Sequence, residues 1–216
     1  MRTKTLLLTA AISAAGIATS LAQVFSVNVV GYVTKAVPAN KFVMLANPLN
    51  AATNTINALF KGVPAGFQVY KFDSAKSAYT IATFDDLDNA FAPPAAGNAT
   101  VVPGEGVFVK SATATSVTFV GEVMQGTLTT QLPKGLSIVA SQVPQAGTPK
   151  ALGLATGQQA GDQIYQWNAD TGSYKSSTFD DLDNDFLPAL TIDVGEAFFI
   201  SKRAAGTWTR TFTVSQ

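Results

Sequence analysis

Two short runs hold the side chains most able to do chemistry. Asp85, Asp86 and Asp88 stand with Asn89 in the first, and Asp180, Asp181, Asp183 and Asp185 with Asn184 in the second. Carboxylates this close repel one another unless solvent or a cation separates them, and a hard cation such as calcium takes about 6–8 oxygen ligands. Calcium is therefore the one cofactor the chain points to, with these seven aspartates as candidate metal ligands. Asp181, Asp183 and Asp185 have the first, third and fifth spacing of an EF-hand loop. Phe186, however, stands where that loop needs glycine, and no glutamate closes its span. Ala90 replaces the last aspartate in the first run. A solvated turn is the default reading of both runs, and calcium binding is the second. The paired carboxylates of a glycosidase are a third, but nothing in the sequence sets their separation or raises a pKa.

Other candidates are fewer. Glu105 and Glu196 follow equivalent turns, either as a pseudo-symmetric pair or as turn fasteners accepting from backbone N–H groups. Trp167 and Trp208, with Tyr70, Tyr79, Tyr165 and Tyr174, could stack on sugar rings or fill a core. Gly104-Glu105-Gly106 leads into a strand rather than a helix N-terminus, so it is no phosphate loop. The chain has no histidine and no cysteine, which excludes Ser-His-Asp catalysis, thiol catalysis and disulfides. No catalytic residue is assigned, and the chain reads as a non-enzyme.

The elements that position these residues occur twice. Thr83-Phe84-Asp85-Asp86-Leu87-Asp88-Asn89 recurs unchanged as Thr178-Phe179-Asp180-Asp181-Leu182-Asp183-Asn184. Gln68–Phe72 matches Gln163–Trp167 at the same offset, and after a short deletion Gly104–Val109 matches Gly195–Ile200. Period-two alternation marks strands at 116–123 and 207–214. Further strands are predicted at 25–34, 41–46, 67–73, 78–84, 106–110, 136–141, 163–168, 173–179 and 196–202. Short helices are predicted at 54–61, with Asn54 as N-cap, and at 149–155, opened by Thr148-Pro149. The fold class is all-β: two tandem, pseudo-symmetric β-sandwich or barrel-like units, each with one short helix. No linker divides them. Residues 121–126 read as the end of one unit and the start of the next, which favours units that share a sheet or pack face to face over two independent small domains. On the last strand Arg210 falls among apolar neighbours and is expected at a sheet margin or paired with a carboxylate.

Arg2 and Lys4, the apolar run from Leu6 to about Ala18, and Ser20-Leu21-Ala22 form a secretory signal pattern. The expected organisation is a signal peptide over 1–22, a β repeat unit over 23–121 and a second over 122–216. The mature chain would hold 12 basic and 14 acidic side chains and no later transmembrane stretch. With no basic patch, nucleic acid is not an expected partner. With 47% hydrophobic and 13% charged residues, it can build a core.

Ser26–Val33, Pro103–Phe108, Thr118–Val123 and Gly195–Phe199 together resemble a family of uncharacterised secreted β-repeat proteins from environmental Gram-negative bacteria. The resemblance implies export and a duplicated β unit, and it brings no activity. Such relatives carry an aromatic- and glycine-rich stretch where this chain has Phe84–Asn89, so no role transfers to these aspartates. The expectation is an exported structural or adhesive module, periplasmic, cell-surface or extracellular. The alternative is a secreted carbohydrate- or ligand-binding module. No partner is assigned; glycan and another surface protein are the candidates.

Overall fold

Alternating side chains and closely spaced turn residues build fourteen strands and two short helices in the structure, a computed structural model that describes residues 29–214. The expected signal peptide over 1–22, and residues 25–28 of the first predicted strand, lie outside the described residues. The first unit contains β1 (Val30–Val37), β2 (Phe42–Leu45), α1 (Ile56–Leu59), β3 (Gln68–Asp73), β4 (Ala78–Asp85), β5 (Ala90–Ala92), α2 (Pro94–Gly97), β6 (Val107–Lys110) and β7 (Thr115–Glu122). The second repeats its strands as β8 (Gly126–Leu132), β9 (Gly135–Ala140), β10 (Gln163–Asn168), β11 (Ser173–Asp180), β12 (Asp185–Leu187), β13 (Ala197–Lys202) and β14 (Gly206–Phe212).

The topology of the two units is the same. In the first, β1 and β7 pair as an antiparallel ribbon beside a five-stranded sheet ordered β2-β6-β3-β4-β5. In the second, β8 and β14 form the ribbon and the sheet runs β9-β13-β10-β11-β12. Each ribbon packs on one face of its own sheet. Val37, Val117 and Phe119 of the first ribbon join Val69, Phe84, Val107 and Val109 of the sheet, with Ile56 and Phe60 from the α1 region. Leu132 and Trp208 play this part in the second unit, against Ile164, Phe179, Phe198 and Ile200. Each fully buried side chain of this size contributes about 1.5–3 kcal/mol through the apolar surface it removes from water.

The other faces of the two sheets meet each other. Met44, Phe108, Ile138 and Phe199 form a joint core, flanked by Phe42, Tyr70, Phe72, Tyr165 and Trp167. Contacts across it are reciprocal. Phe72 meets Phe199 with ring centroids 5.3 Å apart, and Trp167 meets Phe108 at 5.5 Å. Ala46 N donates to Gly195 O, and Ala140 N donates to Gly104 O, each at 3.0 Å. Gly106 and Ala197 occupy equivalent positions and touch near the centre. A Cβ on Gly106 would lie 2.3 Å from the Ala197 Cβ and 2.8 Å from Ile138 Cγ2. Only one of the two positions has room for a methyl.

The structure therefore has two units packed face to face. β7 and β8 belong to separate ribbons, so no strand is shared across 121–126. Among the described residues both α-helices lie in the first unit. Thr55, not Asn54, caps α1, accepting from Ala58 N. The stretch after Thr148 folds as consecutive turns; Thr148 Oγ1 accepts from Ala151 N at 3.2 Å, but Gly153 turns left-handed (φ 77°) before a helix develops. Arg210 is half-buried. It donates to Gln145 Oε1 and lies 5.7 Å from the Phe212 ring centroid, while its Nη1 is buried without a partner. Its partner is thus an amide and a ring rather than a carboxylate, and it lies on a two-stranded ribbon, the sheet-margin position that was the other expectation.

Candidate functional site

The acidic runs form the hairpin tips between β4 and β5 and between β11 and β12. Asp85 Oδ1 accepts from Leu87 N at 2.9 Å, and Asp180 Oδ1 from Leu182 N at 2.8 Å. Asn89 (φ 48°) and Asn184 (φ 49°) close the turns in the left-handed region, which asparagine tolerates better than most residues. Asp185 Oδ1 accepts from Phe186 N at 2.8 Å. Asp86, Asp88, Asp181 and Asp183 are exposed, and Leu87 and Leu182 at the tips are each 92% exposed. Among the described residues no three acidic side chains come together around a point that could hold a metal ion.

The two glutamates fasten turns. Glu105 Oε2 accepts from Val102 N at 3.0 Å, and Glu196 Oε2 accepts from Asp193 N at 2.8 Å. Their outer partners differ. Glu105 pairs with Lys71 at 3.1 Å, whereas Glu196 takes a bond from the Gln166 amide at 2.9 Å. Burial raises the Glu196 carboxyl above its ordinary range, since the neutral Gln166 supplies no compensating charge; the Asp193 N–H and the Gln166 amide oppose the shift. Both glutamates sit where their turns dock on the other unit, through the Leu45–Glu196 and Glu105–Val139 bridges.

The aromatic side chains divide. Trp208 is 3% exposed and donates Nε1–H to Leu152 O at 2.9 Å, so it cannot stack on a ligand. Trp167 donates to Phe42 O of the other unit at 2.7 Å. With Phe42, Tyr70, Tyr79 and Phe108 it lines an open cleft of about 270 Å³ whose walls are almost wholly carbon. Tyr79 and Tyr174 are about half-exposed. Burial, then the neighbouring Tyr174, pushes the Tyr79 hydroxyl up to about 12.

A second hollow, about 350 Å³, lies between the units. Phe72 and Glu105 of the first unit and Thr130, Gln131, Ser137 and Gln142 of the second line it. Gln142 Nε2 donates to Thr129 O at 3.2 Å and to Pro103 O at 3.4 Å. Ser137 Oγ is buried and has no hydrogen-bond partner. The sequence reading missed the residues of the second unit here. The available signal was the repeat itself: Thr130 stands where the first copy has Lys35, and Ser137 pairs with Ile200 as Val43 pairs with Val109.

Comparison of the chain with protein-family models, with curated proteins and with solved structures gives no match.

Proposed function

We propose that this chain is an exported, non-enzymatic module, structural or adhesive, of the cell surface or extracellular matrix. The carrying observation is the use of its carboxylates. Asp85, Asp180, Glu105 and Glu196 each accept a backbone N–H and hold a turn. Groups committed in this way serve a rigid scaffold rather than acid–base chemistry. The signal pattern at 1–22 and the resemblance to secreted β-repeat proteins support export. The test is protease treatment of intact producing cells, followed by an attachment assay on a deletion strain. Digestion of the protein on intact cells, together with weaker attachment or matrix in the deletion strain, is expected. Full protection inside the cytoplasm would overturn the reading.

A further inference from the structure

The hollow between the units exists because the two copies differ. In the first unit the Lys35 stem passes Gly195, whose Cβ would lie 3.3 Å from Lys35 Cδ, and Lys35 Nζ donates to Val194 O at 3.0 Å. That long side chain fills the space between ribbon and docked turn. At the matching place in the second unit stands Thr130, whose Oγ1 would lie 2.7 Å from a Cβ on Gly104. Thr130 is too short to fill the space, and the hollow opens there. Beside it Ser137 replaces the apolar Val43, adding a buried hydroxyl that no protein group satisfies. Both changes go the same way, each replacing a larger side chain by a smaller one.

We infer that this hollow binds a single neutral sugar ring of a surface or matrix glycan. The inference rests on the adhesive reading and names its ligand. The chemistry of the wall selects the class. Phe72 offers a ring for the C–H face of a pyranose. Thr130 brings a hydroxyl and Gln131 and Gln142 bring amides, groups that both donate and accept. Glu105 already accepts from Lys71 and Val102 N through Oε2, which leaves Oε1 for a ligand hydroxyl. Lys71 also donates to Thr100 O, so its charge is committed to the turn. A wall with one carboxylate and no uncommitted cation disfavours anions. The volume of about 350 Å³ lies near the lower end of ligand pockets, roughly 300–1,000 Å³, which suits one ring rather than a long chain. The carbon-walled cleft at Trp167 offers no such set of polar partners.

The test uses purified protein on an array of neutral, uronic-acid and sialylated glycans, with calorimetry on the best neutral monosaccharide. The key variant is Thr130→Lys with Ser137→Val, which fills the hollow with the residues the first unit already carries. Wild type is expected to bind neutral glycans, and the variant to lose at least tenfold in affinity while its melting temperature holds or rises. A second variant, Gln131→Ala, lies on the exposed rim and is expected to weaken binding severalfold without changing the melt. An array on which wild type binds nothing would overturn the inference. So would binding restricted to acidic glycans, or binding unchanged in the filled variant. A protein found on the cell surface that binds no glycan would sink this inference alone and leave the structural reading standing.

Discussion

The two units share every strand and the glutamate turn fasteners Glu105 and Glu196, yet their interiors are held by different chemistry. In the first, Phe67 and Ser111 occupy two equivalent buried positions. In the second, Asp162 and Lys202 stand there, forming an ion pair that is almost completely buried. Backbone equivalence is close: Phe84 N donates to Phe67 O, and Phe179 N to Asp162 O, both at 2.8 Å. Asp162 also accepts from Gln159 N at 2.9 Å and Arg203 N at 2.8 Å, and Lys202 donates to Gln158. A ring in one copy and a salt-bridged network in the other support the same loop. The scaffold is therefore set by turns and strand pairing, and the filling of this site is exchangeable, even though the buried Ser111 hydroxyl of the first unit has no hydrogen-bond partner.

The largest expected effect comes from breaking the pair on one side. Lys202→Met leaves a buried carboxylate uncompensated and is expected to cost about 3–5 kcal/mol in urea unfolding at neutral pH. Importing both residues of the first unit, Asp162→Phe with Lys202→Ser, is expected to recover most of that loss. If the double variant is as damaged as the single one, the two sites are not interchangeable. Acid probes the same pair. Burial alone would raise the Asp162 carboxyl, but the Lys202 bond and the Arg203 and Gln159 N–H groups outweigh it and hold its pKa below the ordinary value. Its stability contribution is present above the unfolded aspartate pKa of about 3.9 and is lost as pH falls through the lower folded value. The double variant is therefore expected to show a shallower acid limb in its melting profile.

Next in size is the central contact of the joint core. Gly106→Ala makes the two equivalent positions alike, both with a methyl, and overpacks the axis, which is expected to cost about 1–3 kcal/mol. Adding Ala197→Gly removes the 2.3 Å contact and should recover most of the wild-type melt, the remainder being set by Ile138 Cγ2 at 2.8 Å. Failure of that rescue would mean that the units do not meet reciprocally.

The smallest effect concerns the turn fasteners. Gln166→Lys gives Glu196 the partner that Lys71 gives Glu105, worth about 0–1 kcal/mol for a partly exposed pair. Glu196 now has a raised pKa, so stability should fall as pH rises from the ordinary glutamate range through that raised value. The substitution is expected to flatten this slope, and melts at mildly acidic and neutral pH would read it. An unchanged slope would show that Glu196 is not its source.

Much of this was legible from residue order alone. The 163–168 strand was placed to the residue, because Ile164 and its neighbours keep period two and Gly161 punctuates the entry. The three-residue strands β5 and β12 were invisible, since Phe91 and Phe186 each stand as a single buried residue with no period to detect. In Val107-Phe108-Val109 and Ala197–Ile200 every side chain is apolar, so alternation could not tell the ribbon-facing face from the joint core. Trp167 and Trp208 looked alike as stacking candidates, and burial separated them.

The sequence by itself determined the repeat, the all-β class, the turn positions and the fastening role open to Glu105 and Glu196. These follow from local rules, in which side-chain period and turn chemistry act within a few residues of one another. Only the tertiary structure decided that the sheets bury both faces, that Gly106 must yield to Ala197, and that Thr130 leaves empty a place that Lys35 fills. The reason is physical. Those outcomes depend on which side chains are brought within a few ångströms from positions far apart in the chain, and steric fit there is a property of the pair rather than of either residue.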